Sequence, residues 1–294
     1  EIHGQKFISL VTYDTYILKK KPYKWAEKIN KEIGAQNLNL HLGQINIDEL
    51  KLTNFINRLN NKKIEERRKL MDSLLSQIDA NYLRLLIQYN KVLQQRNSLL
   101  KWAAEQGKMD ETLLATLNQQ LVQYGAPIFE QRTKLLAEWL PMVHQLYLSI
   151  AGNADAIQIE YQSSLQHHPF DTLLNEALPK DKAMQRTSVG IHKDDLIITI
   201  QGQSFKQEAS QGQRKSLLFA IRLAEWMILK KYKGFSPILL MDDIFEKLDE
   251  NRMVQLLAWV SKSTDGQVFI TDTHKDRLTK LLGKHLSSYQ LIEI

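Results

Sequence analysis

The chain has 294 residues, about twice a typical domain length, so one large or two modest domains are expected, with enough chain to bury a real core. It has no Cys, which excludes a disulfide framework, thiolate zinc sites and cysteine catalysis and fits a reducing cytosol. Its 39 basic and 33 acidic residues leave a net charge of +6, which permits a polyanionic partner without demanding one. No apolar run approaches the ~18 residues of a membrane span, so no membrane partner is expected. The chain does not open on Met, and no charged stretch near its start leads into an apolar segment. A truncated or processed start is therefore expected rather than a signal peptide, and the expected location is cytoplasmic.

The run Phe7-Ile8-Ser9-Leu10-Val11-Thr12-Tyr13 leans towards a strand, and Lys19-Lys20-Lys21-Pro22 breaks it. Lys24 to Ile33 reads as a short helix closed by Gly34. From Ile64 to residue 150 the text is helical and reads as an antiparallel arm. Leu83, Leu86, Ile87, Asn90 and Leu93 fall on one stripe, continued by Leu99 and Leu100, and Gly107-Lys108 ends that helix. A second helix begins near Asp110 with Leu113, Leu114, Leu117 and Leu121, and Gly125-Ala126-Pro127 is expected to break it. A third runs from Pro127 through Leu135, Leu136, Trp139, Leu140, Val143, Leu146 and Tyr147, with a kink expected at Pro141.

After Gly152 strands and helices mix. Strands are expected at Ile157 to Tyr161, Leu196 to Gln201, Ile238 to Met241, Gln267 to Thr271 and Tyr289 to Ile294. Helices are expected over 213–232, near 250–262 and near 274–283. Strands alternating with helices imply an α/β sheet with parallel members. The sequence therefore divides into 1–63, a helical arm over 64–150, and a mixed α/β portion over 151–294.

Four short constellations carry chemistry. Ile238-Leu239-Leu240-Met241-Asp242-Asp243 is an apolar strand ending in two acids, which puts carboxylates at the strand's carboxyl end, where open α/β sheets bind ligands. One acid there can hold Mg²⁺ through water and the other can orient an attacking water, as in a Walker B strand; a strand followed by a plain acidic turn fits the same text. Ser210-Gln211-Gly212-Gln213-Arg214-Lys215 opens the 213–232 helix. Gly allows close approach of a phosphate, Ser offers a hydroxyl, and a helix start offers N–H groups; an ordinary capped helix is the plainer reading. Basic residues in a first turn oppose the helix dipole, so an anion is the economical partner for Arg214 and Lys215. Glu246-Lys247-Leu248-Asp249 precedes another helix, which Asp249 can cap. Thr271-Asp272-Thr273-His274 ends the next strand with polar groups that could sense a phosphate.

The order of these elements is that of the carboxyl-terminal half of an ABC-type ATPase head, and the preceding helical arm points to its SMC-like branch. The chain then resembles the RecF family in particular. The resemblance is carried by Glu65-Glu66-Arg67-Arg68-Lys69-Leu70-Met71-Asp72, by Tyr89 to Asn97, by Gly190-Ile191-His192-Lys193-Asp194-Asp195-Leu196, by Ser210 to Lys215 and by Asp242 to Arg252, within about residues 64–294. It implies an α/β ABC-ATPase-type head, a mixed sheet with flanking helices, carrying an inserted antiparallel α-helical arm. It also implies a DNA replication, repair and recombination protein of the SOS response that binds and slowly hydrolyses ATP with Mg²⁺ and dimerises head to head around the nucleotide. Such a protein binds double-stranded DNA and its junctions with single strands, and with RecO and RecR helps to load RecA at gaps. Under it, Asp242 coordinates Mg²⁺ and Asp243 acts on the attacking water. Ser210, Gln211, Gly212 and Gln213 touch the γ-phosphate of the opposite subunit, Asp249 belongs to the dimer-facing loop, and Asp272 or His274 is the switch.

Lys206, Arg214, Lys215, Arg222, Lys230, Lys231 and Lys233 face only Glu208 and Glu225 across 206–233. Arg214, Lys215, Arg222, Lys230 and Lys231 are the candidate DNA contacts, with a solvated helix face as the alternative. No base-reading motif is present, so recognition would be by shape and charge. The family's Walker A loop, of the type Gly-x-x-Gly-x-Gly-Lys-Thr, is absent from the text, and residues 1–60 match poorly. Either a preceding piece is missing or this copy is degenerate, and the rival expectation is a DNA-binding or assembly module that does not turn over ATP.

Overall fold

The computed structural model describes residues 8–12, 64–152, 157–241, 248–272, 279–280, 282–283 and 289–293. The short helix expected at Lys24 to Ile33 lies outside them. So does most of the one near 274–283, whose described residues 279–280 and 282–283 are helical.

These residues form two compact units. One holds β1 (Ile8–Thr12), the stretch Gln145–Ala154, and everything described from Ser210 on. Here α7 (Gln211–Lys233) leads into β5 (Leu239–Met241), followed by α8 (Glu250–Ser263), β6 (Val268–Asp272) and β7 (Gln290–Glu293). The four strands make one parallel sheet in the order β5-β6-β1-β7. β1 is thus an inner strand although it comes from the far end of the chain; Ile8 pairs with Val268 and Thr12 with Asp272. Parallel strands need helical crossovers and apolar cover on both faces. α7 supplies such cover. Leu217, Leu218, Phe219, Ala220, Ile221, Leu223, Ala224, Trp226, Ile228 and Leu229 are all buried, which is nearly its whole circumference. α8 is amphipathic, with Met253, Leu256, Leu257 and Val260 on its buried stripe.

The other unit spans the described residues of Asn57–His144 and Asp155–Ala209, so residues 155–209 pack with the helical arm rather than with the parallel sheet. It contains α1 (Ile64–Ile78), α2 (Ala80–Gln106) and most of α3 (Glu111–Ala151). An antiparallel sheet β2-β3-β4 follows, made of Ile157–Gln162, Asp195–Ile200 and Gln203–Ser204. Between β2 and β3 lie α4 (Phe170–Glu176) and α5 (Leu178–Met184), and α6 (Phe205–Glu208) closes the unit. Gly107 caps α2 in the left-handed conformation at φ 67°, and Asp110 accepts from the Leu113 amide to start α3. Arg96 and Asn118, equidistant from Gly107 in sequence, are hydrogen-bonded at 2.7 Å, so α2 and α3 run antiparallel as expected.

Two expectations about the arm fail. Gly125-Ala126-Pro127 does not break a helix: α3 runs unbroken through Gly125, Pro127 and Pro141. The proline removes one ladder bond, but Leu121, Ile128, Leu135, Leu136, Trp139 and Val143 are buried on both sides of it, and that packing holds the helix together. Gly125 is small for a different reason. A Cβ there would stand 2.6 Å from Cε1 of Phe170 and 3.1 Å from Cε2 of Tyr89. The buried stripe of α2 is also rotated from the expected one. It is Tyr82, Tyr89, Val92, Arg96, Leu99, Leu100 and Ala103, while Leu83 and Ile87 are exposed. Tyr and Arg take the inner face because partners there satisfy their polar ends.

Candidate nucleotide site and a buried charge network

In the parallel sheet Met241 pairs with Ile270, so the chain leaves β5 towards 242 at the edge where β6 ends in Thr271-Asp272. Asp242 and Asp243, the expected Mg²⁺ and water-directing acids, lie outside the described residues, as does His274. Asp272 is placed by its backbone as the last residue of β6. α7 leads into the start of β5 and α8 follows β5 in the chain, and the N-termini of both helices are described.

Those two N-termini meet. Ser210 caps α7: its hydroxyl accepts from the Gln213 amide at 3.2 Å, and Gln213 Oε1 accepts from the Ser210 amide at 2.7 Å, a complete capping box. Asp249 caps α8 by accepting from the Arg252 amide at 3.0 Å, and its other oxygen pairs with the Arg252 guanidinium at 3.0 Å. That guanidinium lies on Gly212, where any Cβ would run into it. The plain capping reading of Ser210 and Asp249 therefore holds as a structural fact. The arrangement does more than cap, however. A serine hydroxyl, first-turn amides without intrahelical acceptors and an arginine over a bare glycine gather positive potential at one point. This donor set suits phosphate oxygens.

The candidate DNA contacts are placed unevenly. Arg222 forms an ion pair at 2.6 Å with buried Glu225; burial pushes the Glu225 carboxyl up and Arg222 holds it down. Lys230 pairs with Asp265 at 2.6 Å and stands over the Trp226 ring, whose N–H donates to the Pro237 carbonyl. Asp265 also accepts from Ser236, which ties the end of α7 to the turn entering β5. Lys231 lies over Tyr232. Arg214 and Lys215 stand in the first turn of α7.

Sequence reasoning missed a second centre, in the arm unit, where three of the segments that carry the resemblance converge. Arg67 grips Asp195 with two bonds of 2.6 Å, and Arg68 donates to the Asp194 carbonyl at 2.9 Å. Buried Arg132 donates to Asp194 at 2.7 Å, to the Ile191 carbonyl at 2.8 Å and to Asp72 at 2.8 Å. Tyr82 donates to Asp72, and Tyr161 donates to Asp194 at 2.5 Å. Burial works against the Arg132 charge, but Tyr82, Asp72, Tyr161 and Asp194 around it hold its pKa well above the usual value. Burial first, and then the neighbouring Asp72 and Asp194 carboxylates, push Tyr82 and Tyr161 up. Arg96, fully buried, reaches Asp181 at 2.7 Å and Thr187 at 2.8 Å.

His192 completes this centre. Its Nε2 donates to the Thr187 carbonyl at 3.1 Å, so Nδ1 is the acceptor for the Tyr89 hydroxyl at 2.8 Å. Burial lowers its pKa from 6.5 to about 4. Gly190 makes the close packing possible: its φ is 115°, and a Cβ would meet Phe170 at 2.6 Å and the Tyr89 hydroxyl at 2.7 Å. One signal was legible in the text. Arg96 and Arg132 sit at helical spacing among apolar residues, and a charge on a buried stripe requires a buried partner.

The fold is that of an ABC-ATPase-type head, with a parallel α/β sheet and an inserted helical arm. No family model matches the chain. It is 44% identical over 230 residues to the DNA replication and repair protein RecF of Flavobacterium johnsoniae, covering 78% of this chain and 64% of that one. It is 34% identical over 280 residues to the RecF protein of Cytophaga hutchinsonii, covering 95% and 71%. A solved structure of the recombination mediator protein RecF with ATP, from the RecFOR pathway, superposes with a TM-score of 0.65 at 32% identity over 76% of this chain and 60% of that one. The chain belongs to the RecF family. It spans under two thirds of the length of its Flavobacterium johnsoniae relative.

Proposed function

We propose that the chain acts in DNA repair and recombination as a RecF-type mediator in the cytoplasm. It binds DNA and dimerises head to head around ATP, and with RecO and RecR it helps to load RecA at single-strand gaps. The observation that carries this reading is the corner formed by Ser210, Gly212, Asp249 and Arg252 in a member of this family. Bound ATP with Mg²⁺ supplies a polyanion whose γ-phosphate can bridge two heads. The Ser210 hydroxyl, the first-turn amides of α7 and the Arg252 guanidinium hold phosphate oxygens presented by the opposite subunit, and Asp249 orients Arg252. Asp242 holds the metal through water and Asp243 orients the attacking water, while Asp272 or His274 senses the phosphate. Arg214, Lys215, Arg222, Lys230 and Lys231 neutralise duplex or junction phosphates without reading bases.

Sedimentation tests it, using this chain joined to a relative's Walker A segment. With ATP the joined chain dimerises. Ser210→Arg abolishes the dimer while leaving nucleotide binding by the monomer intact, because its side chain fills the phosphate's place. A capping role alone predicts a loss of about 1 kcal/mol of stability and an unchanged dimer. A Ser210→Arg variant that still dimerises with ATP overturns the assignment. The second reading is an assembly or DNA-binding module without turnover. It predicts ATP hydrolysis at background, unchanged by Asp243→Asn.

A further inference from the structure

In the arm unit the carboxylates of the buried network are already paired, and three cations beside that network are not. Asp195 is taken by Arg67, Asp194 and Asp72 by Arg132, and Asp181 by Arg96 and Ser188. Glu111 is taken by Lys182 at 3.3 Å. Lys180, Arg186 and Lys193 are exposed and make no ion pair among the described residues. The fold nevertheless holds them together. Asp181 accepts from the Ser188 amide at 2.8 Å and from its hydroxyl at 2.5 Å, and the Arg186 amide donates to the Asp181 carbonyl, so the turn after α5 is pinned beside Lys180. The Lys193 amide donates to the Gly190 carbonyl in the tight turn that follows, and Arg68 is bonded to the next carbonyl, that of Asp194. Partial desolvation first, and then the charges of Arg186, Arg68 and Lys180, opposed by Asp181, lower the Lys193 pKa. Arg68 is likewise disfavoured, by burial and by Arg132. A rigid group of mutually repelling cations is stabilised by an anion carrying several negative oxygens.

We infer that Lys180, Arg186 and Lys193, backed by Arg68, form a second phosphate-binding surface, built from arm-unit residues and not from α7, that seats the phosphodiester backbone of a nucleic acid. The turn that carries Arg186 is held by bonds to buried Asp181 and the one that carries Lys193 by its own backbone bond, so their side chains are presented without reading sequence. This inference rests on the DNA-binding reading above and adds a site to it.

The test uses the whole chain and a duplex of arbitrary sequence, with binding measured by anisotropy across a salt series. Changing Lys180, Arg186 and Lys193 together to Gln weakens binding, and the slope of log affinity against log salt becomes shallower by about 2 to 3, close to one for each phosphate that is no longer neutralised. A charge-matched control, Lys91, Lys101 and Lys108 changed to Gln on the exposed face of α2 and the loop after it, keeps the wild-type slope. Equal effects from the two triple changes would reduce the result to net charge and overturn the site. A slope unchanged by the first triple change overturns it as well, while leaving DNA binding through α7 standing. A chain that binds no duplex at any salt overturns the underlying reading along with it. Lysine acetylation provides a second readout. Duplex protects Lys180 and Lys193 several-fold in the wild-type chain; protection by inorganic phosphate but not by duplex rules out the backbone as occupant. The variant remains folded, and at low salt it melts no earlier than wild type, because the change removes repulsion.

Discussion

Arg132 shows how a single residue can organise a unit. Buried, its N–H donors serve two carboxylates, a carbonyl and the Tyr82 hydroxyl. Arg132→Leu leaves Asp72 and Asp194 without that partner, and urea unfolding is expected to show a loss of about 3–5 kcal/mol. Arg132→Lys recovers little, because one ammonium cannot replace a planar fork; full recovery would mean that only charge matters here. His192 gives the centre a pH dependence. The folded chain holds this group near 4 and the unfolded chain near 6.5, so the unfolded state binds the proton more readily between those values. The stability His192 contributes is complete above pH 6.5, falls as pH drops through the window, and is lost below 4. Between pH 7 and pH 5 about 2 kcal/mol should go from this group, and His192→Gln should flatten that part of the curve.

At the scale of elements, α3 is decided by what lies against it. A helix of 41 residues with two internal prolines is not the outcome that local propensity favours. It persists because α2 and α4 pack on it, with Tyr89 and Phe170 closing over Gly125. Gly125→Ala gains about 1 kcal/mol of helix propensity but meets the Phe170 ring, where overpacking costs about 1–3 kcal/mol. The expected result is a chain destabilised by up to about 2 kcal/mol, with Phe170→Leu relieving the penalty in a double-mutant cycle. If the two changes add independently, the ring is not what excludes the Cβ. α7 is the converse case: its apolar circumference, Ser210 cap and Gly234 end agree, so its span was legible to within two residues.

For the whole molecule, the excess of +6 is modest, and its placement matters more than its size. Duplex binding is expected to be indifferent to sequence and to fall at least tenfold between 50 and 200 mM salt, as a few phosphate contacts require. Affinity that is flat over that range, or confined to one sequence, would count against both basic surfaces. Among the described residues no helix is long and apolar enough to cross a membrane.

The text alone determined the α/β character of the carboxyl-terminal part, its β2, β3, β5, β6, β7, α7 and α8, and the capped corners at Ser210 and Asp249, but not the short α4, α5, α6 and β4. Those features are local: alternation, apolar runs, caps and glycines report themselves within a few residues. It also held enough of the RecF pattern to indicate the family. What only the tertiary structure decided depends on partners distant in sequence. The pairing of Ile8–Thr12 with strands from the far end of the chain is one example. The rotation of the α2 stripe towards Tyr82, Tyr89 and Arg96 is another, and so is the continuity of α3 through its prolines. The union of Arg67, Asp72, Arg132, Asp194 and Asp195 into one buried network is the clearest. Whether an arginine faces water or the core is fixed by which carboxylate the fold brings to it, and spacing along the chain does not encode that.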